Sequence, residues 1–202
     1  MRESFKTITK SSEGFYKEKG SKFIAHAFPI RSEDEIKGNL DQLRKQYYDA
    51  RHHCYAYVLG QDYEQFRAND DGEPNHSAGD PILGQIKSKE LTNTLIVVIR
   101  YFGGTKLGVG GLIHAYKTAA EEALNVNKII TVDITRPLCI RFNYDATNEV
   151  MRMVNDFELE ITEQLYEADC FLKVNVKIGL IDQVKEKLQL LKDLGNKVKI
   201  MD

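Results

Sequence analysis

The strongest chemical signal in the chain is the run Arg100-Tyr101-Phe102-Gly103-Gly104-Thr105-Lys106-Leu107-Gly108-Val109-Gly110-Gly111, which passes from an apolar β-branched segment through glycines into a helical pattern. A helix start exposes backbone N–H groups that have no intrahelical partner, at the positive end of the helix dipole. Glycines let an anion approach that backbone closely. The chemistry indicated is phosphate binding, with Arg100, Gly103, Gly104, Lys106, Gly108, Gly110 and Gly111 as contact residues and Lys117 as additional charge. The run is not a Walker A loop, since GxxxxGK[ST] is absent, and Gly108-Val109-Gly110 lacks the third glycine of a dinucleotide fingerprint. The plain alternative is that the five glycines only allow a helix to pack tightly on a sheet.

A second cluster is the polar loop Asn69 to Gly79, with Asp70, Asp71 and Glu73 around Gly72 and Pro74. Its oxygens suit a hard divalent cation, but it lacks the regular ligand spacing of a calcium loop, and a solvated turn accounts for the same composition. No metal site and no cofactor are assigned. Upstream, Arg51-His52-His53-Cys54-Tyr55 opens a strand, which places His52 and Cys54 on one face and His53 and Tyr55 on the other. Cys54 reads as a small buried residue beside a packed His52 rather than as a nucleophile. No HExxH, GxSxG or CxxC pattern is present, so the chain reads as noncatalytic. Finally, Tyr16-Lys17-Glu18-Lys19-Gly20-Ser21-Lys22-Phe23 interleaves bases with aromatics, a composition suited to single-stranded nucleic acid; Tyr16, Lys19 and Lys22 extend the candidate surface. A solvated hairpin tip is the competing explanation.

The elements that must position these residues follow from periodicity. Phe5–Lys10 and Lys22–Ile30 read as two strands around a turn from Gly14 to Ser21. Ser32 with Glu35 forms a capping box, and Ile36, Leu40, Leu43 and Tyr47 recur at helical spacing. His53–Leu59 and Tyr63–Ala68 form a hairpin around Gly60-Gln61-Asp62. Asp80-Pro81 supplies an N-cap and an N1 proline for a helix to about Leu91. Thr94–Tyr101 is a β-branched run, the mark of a central strand buried on both faces. After it, Leu112, Ala115, Tyr116, Ala119, Ala120 and Ala123 make a small-residue helix face to about Leu124. Ile129–Thr135 is then expected to complete a right-handed βαβ crossover.

A domain boundary is placed at Arg136-Pro137, giving domains 1–136 and 137–202. Beyond it the order is strand (Leu138–Tyr144), helix, hairpin (Leu159–Tyr166 with Phe171–Ile178), helix ending at Gly195, and strand (Lys197–Met201), with Asp145 capping the first helix. That βαββαβ order is the ferredoxin-like plan. The fold class is therefore α+β with two domains.

Charge is distributed unevenly. The chain has a net charge of −2, too little positive charge for a general nucleic-acid coat. However, residues 1–136 carry 19 Lys and Arg against 18 Asp and Glu, and the remainder carries 9 against 12, so a basic face belongs to the first domain. The cysteines, Cys54, Cys139 and Cys170, form neither a CxxC pair nor an even disulfide set, which fits a reducing cytoplasm. The N-terminal stretch has no apolar signal region, and the longest aliphatic run, Leu95–Ile99, is far too short to cross a bilayer. No membrane association is expected.

The segment Val98 to Leu112 resembles the signature of the YigZ/IMPACT family. Lys19-Gly20-Ser21-Lys22-Phe23, His52-His53-Cys54-Tyr55-Ala56-Tyr57, Asp70-Asp71-Gly72-Glu73-Pro74 and Ala78-Gly79-Asp80-Pro81-Ile82-Leu83 resemble further motifs of that family, in its order. The resemblance implies a first domain similar to domain 2 of ribosomal protein S5 and a C-terminal domain similar to a late domain of elongation factor G. It thereby implies a translation-associated regulator whose partners are RNA or the ribosome. Asp80 stands where the family usually has Lys or Arg, which leaves Gly103–Gly111 as the expected anion site. Two other readings are carried beside this one: an enzyme acting on a nucleotide or phosphorylated metabolite in a cleft between the acidic loop and the Gly-rich helix start, and an adaptor whose ferredoxin-like sheet docks a protein partner.

Overall fold

The structure, a computed structural model, describes residues 2–201. The chain forms β1 (Ser4–Ile8), β2 (Ser12–Glu18), β3 (Ser21–Pro29), α1 (Glu33–Gln46), β4 (His52–Leu59), β5 (Gln65–Asn69), α2 (Gly79–Ser88), β6 (Thr94–Tyr101), α3 (Gly108–Asn125), β7 (Ile129–Asp133), β8 (Thr135–Phe142), α4 (Thr147–Asp156), β9 (Glu160–Tyr166), β10 (Cys170–Lys177), α5 (Ile181–Asp193) and β11 (Val198–Met201). It divides into two compact units: residues 4–132 form one, and residues 133–201 with residues 2–3 form the other. Arg136 and Pro137 lie inside β8. Proline is tolerated there because β11 pairs with β8 only from Phe142 to Cys139, so at Pro137 only β10 runs alongside.

In the first unit, β6 is the middle strand of a five-stranded sheet in the order β2-β3-β6-β4-β5. Its β-branched and aliphatic side chains are buried alternately on the two faces. Leu95, Val97 and Ile99 pack with Ile36, Leu40 and Leu43 of α1, whereas Ile96 and Val98 pack with α2 and α3 through Ile82, Ile86, Ala115, Tyr116 and Ala119. α1 forms the first half of its expected capping box, Ser32 Oγ accepting from Glu35 N at 3.3 Å, while the Glu35 carboxylate accepts from Arg31 N, one residue before the N-cap, rather than from Ser32 N.

Two expectations for this unit are corrected. The N-terminal segment holds three strands, because Gly14 lies within β2 rather than in a turn. A Cβ on Gly14 would stand 2.2 Å from Ala123 N, so its glycine serves the close approach of β2 to α3, and the true turn is Lys19-Gly20. The expected βαβ crossover does not form either. Both edges of β6 are occupied, by β3 and β4, and β7 pairs instead with β1 in a separate two-stranded sheet.

The second unit is a four-stranded sheet in the order β11-β8-β10-β9, antiparallel throughout. This is the ferredoxin-like arrangement derived above. Ile140, Phe142, Leu172, Val174 and Val176 form its buried face under Val150, Met153, Val184 and Leu188 of α4 and α5. A 3-10 turn at Tyr144–Ala146 precedes α4, and the expected Asp145 cap makes no side-chain capping bond. Gly195, at φ +93°, ends the α5 segment in the left-handed conformation that favours glycine.

Candidate functional site

Strand register assembles the first part of the site. Phe23, Arg100 and His52 stand side by side across β3, β6 and β4, all on the face that carries α3. Arg100 is 7% exposed, and its Nη1 lies 2.6 Å from Oε1 of the equally buried Glu73, the third acidic residue of the polar loop. Tyr116 donates to the same oxygen at 2.8 Å, and the single Cys54 S–H is shared between the Asp70 carbonyl, 3.0 Å away, and the Tyr116 oxygen, 3.3 Å away. Desolvation pushes both the Cys54 thiol and the Tyr116 hydroxyl far above their usual values, so each keeps its proton and acts as a donor. Cys54 is thus held as a thiol, and His52 is engaged elsewhere, its Nδ1 donating to Asp71 O at 2.8 Å. Arg100 was expected to offer its charge to a ligand; much of that charge is matched by Glu73, and its buried Nε has no hydrogen-bond partner among the described residues.

The acidic loop is a scaffold as well as a source of charge. Asp70 Oδ1 accepts from Ala78 N and Gly79 N at 2.9 and 2.8 Å, and Oδ2 accepts from His76 N at 2.8 Å. α2 is therefore capped from a distance by Asp70, and not by Asp80, which sits inside the first turn beside His76. Burial alone would raise the Asp70 carboxyl, but the bonds from Gly79, His76 and Ala78 outweigh it and hold it below the ordinary carboxylate value. Asp71 accepts from His53 N at 2.7 Å, joining the loop to β4. Asp70→Asn is expected to lose about 1–2 kcal/mol of stability at neutral pH in urea unfolding, since a charge-assisted cap is replaced by an amide. The stabilisation from a carboxyl held low in the folded state is fully present above its unfolded-state value and is lost as pH falls through its folded-state value. The gap between wild type and variant should accordingly close in acid.

The Gly-rich segment completes the site. Gly103 packs against the Lys19-Gly20 turn, its N donating to Ser21 Oγ at 3.1 Å. Gly104 and Gly108 have φ of +86° and +72°, and a Cβ at Gly104, Gly108 or Gly110 would meet nothing within 4 Å. The backbone at these three glycines is thus open to an incoming group, while a Cβ on Gly111 would crowd Leu107. α3 begins at Gly108 with no side-chain cap and no acidic residue in its first turn. Its start forms one wall of a cavity of about 660 Å³, also lined by Arg51, His52, Glu73, Arg100, Phe102 and Lys106. Arg51, Arg100 and Lys106 face Asp49 and Glu73 there, leaving one positive charge in excess.

Of the residues singled out from sequence, His52, Glu73, Arg100, Lys106 and Gly108 line this one cavity, and Gly103, Gly104, Gly110 and Gly111 flank it. Lys19 sits in the turn packed on Gly103. Tyr16 turns its ring onto Phe23 and His114 and donates to Glu18, and Lys22, opposite Tyr101, lies on the α1 face of the sheet, away from Arg100. Asp70 and Asp71 stand behind the cavity as loop supports. Sequence reasoning missed Asp49, Arg51 and Phe102. Arg51 and Phe102 adjoin motif residues, and only the fold shows that they face the same space. Among the described residues no helix is long and apolar enough to cross a membrane.

Residues 19–124 match the family described as Impact N-terminal domain. The chain is similar to IMPACT family member YvyE of Bacillus subtilis, at 34% identity over 166 residues, covering 82% of this chain and 76% of that protein. It is also similar to IMPACT family member YigZ of Escherichia coli, at 30% identity over 175 residues, covering 84% of each chain. Among solved structures, a crystal structure of a hypothetical protein superposes with a TM-score of 0.72 at 25% identity, covering 100% of this chain and 98% of the other.

Proposed function

The chain belongs to the IMPACT family, and from that premise we propose that it is a noncatalytic, translation-associated regulator that binds RNA through phosphate held at the start of α3. The observation that carries this reading is the uncapped first turn of α3, which opens with Lys106 onto a cavity walled by the Arg100–Glu73 pair. Unpartnered N–H groups, an excess cation and glycines without steric cover suit a phosphate oxyanion. The tie to translation rests on the family resemblance, whose two domains are similar to parts of ribosomal protein S5 and elongation factor G.

The test is co-sedimentation with RNA and with ribosomes across a salt series, comparing wild type with Lys106→Glu. Lys106 is exposed and lies outside the buried core, so the variant should fold. We expect affinity to drop about tenfold and the salt slope to shrink by roughly 0.7–1, one phosphate contact. Absence of salt-sensitive binding by the wild type at low ionic strength would overturn the proposal.

A second reading, an enzyme on a nucleotide or phosphorylated metabolite, is favoured by one observation: Glu73 and Pro74 of the acidic loop and Lys106 to Val109 line the same cavity, whose size lies in the range of about 300–1,000 Å³ usual for small ligands. A thermal shift with nucleotide that requires a divalent ion, in the absence of RNA binding, would favour it.

A further inference from the structure

Phe102 is the first residue after β6 and is 60% exposed, although every β6 residue before Tyr101 is buried. It is absent from each apolar core of its unit, so its ring is not needed to hold the fold together. It lines the cavity at the start of α3, with the Arg100 guanidinium 5.7 Å from its ring centroid on the way to Phe23, whose centroid lies 5.6 Å from the same group. The Arg100 guanidinium is thus near both ring centroids while its Nη1 pairs with Glu73. Val109, also half exposed, lines the same space.

A flat exposed ring and an open helix start lining the same cavity present two recognition elements of a nucleotide: a stacking platform and a phosphate cradle. Bases in a duplex are stacked on their neighbours and offer no free face, whereas an unpaired strand can turn one base outward. We propose that the cavity takes one unstacked nucleotide of single-stranded RNA, its base on Phe102 and its phosphate at the first turn of α3. This rests on the phosphate-binding reading above and adds the form of nucleic acid and the side chain that selects it.

The test measures fluorescence anisotropy of the full chain with three labelled probes of equal length: a single-stranded oligoribonucleotide, its duplex, and an abasic oligomer that keeps the phosphates and lacks the bases. The wild type should bind the single strand roughly tenfold or more tightly than the abasic oligomer, the scale of one stacked base. Phe102→Ala should abolish that advantage with the salt slope unchanged, and Phe102→Trp should retain it. Equal affinity for single-stranded and abasic probes, a preference for duplex, or an unchanged preference in a folded Phe102→Ala variant would overturn the inference. If neither the single strand nor the abasic oligomer binds in a salt-sensitive way, the phosphate site has failed as well, whereas equal salt-sensitive binding of the two fails the stacking claim alone, which separates the two claims.

Discussion

Glu73→Gln should unfold about 3–5 kcal/mol more easily than wild type. The substitution keeps the shape and one acceptor for Tyr116, but it strips the countercharge from Arg100. Both side chains are buried, with 2.6 Å between Arg100 Nη1 and Glu73 Oε1. Removing one partner leaves a desolvated cation with an already unpaired Nε. Urea unfolding of Glu73→Gln, and of Glu73→Gln with Arg100→Met, checks the cause. The double variant should regain most of the loss, because the buried charge has gone too. A small loss in the single variant would mean that water reaches Arg100 freely, and the anion site would then lose its fixed wall.

Gly103→Ala should cost at least about 3 kcal/mol, beyond the usual range for one added methyl group. A Cβ at Gly103 would lie 1.9 Å from Gly20 C and 2.1 Å from Ser21 N, both backbone atoms that no rotamer change can clear. The β2–β3 turn would have to separate from the loop leading into α3, carrying Lys19 away from the site. Gly110→Ala is the matched contrast. Its Cβ meets nothing within 4 Å and it lies in the first turn of a helix, so the same methyl group should raise stability by up to about 1 kcal/mol. Thermal unfolding of the two variants side by side tests both signs. If they shift alike, the glycines act through the unfolded chain rather than through the packing described.

The two glycines show where reading the chain ends. From sequence, Gly103 and Gly110 belong to one anion-binding run, yet one is required by a backbone 82 residues away at Ser21 and the other stands in open space. Arg100 is similar: its type suggested a free cation, and its neutraliser, Glu73, comes from a loop 27 residues earlier. Asp70 read as one carboxylate among several and is the remote cap of α2, a role set by where β5 delivers the loop.

What the sequence determined by itself is what periodicity and local chemistry encode. The β-branched run of β6 required a strand buried on both faces, the spacing in α1 and α3 required their apolar stripes, and the order of elements after β7 required a ferredoxin-like sheet, because each depends on neighbours a few residues apart. Tertiary structure decided the pairing of β7 with β1, the place of Gly14 inside a strand, and the gathering of Arg51, Glu73, Arg100, Phe102 and Lys106 around one cavity. These depend on which strand edges are already occupied and which loops meet across the sheet, and no local pattern carries contacts between residues so far apart in the chain.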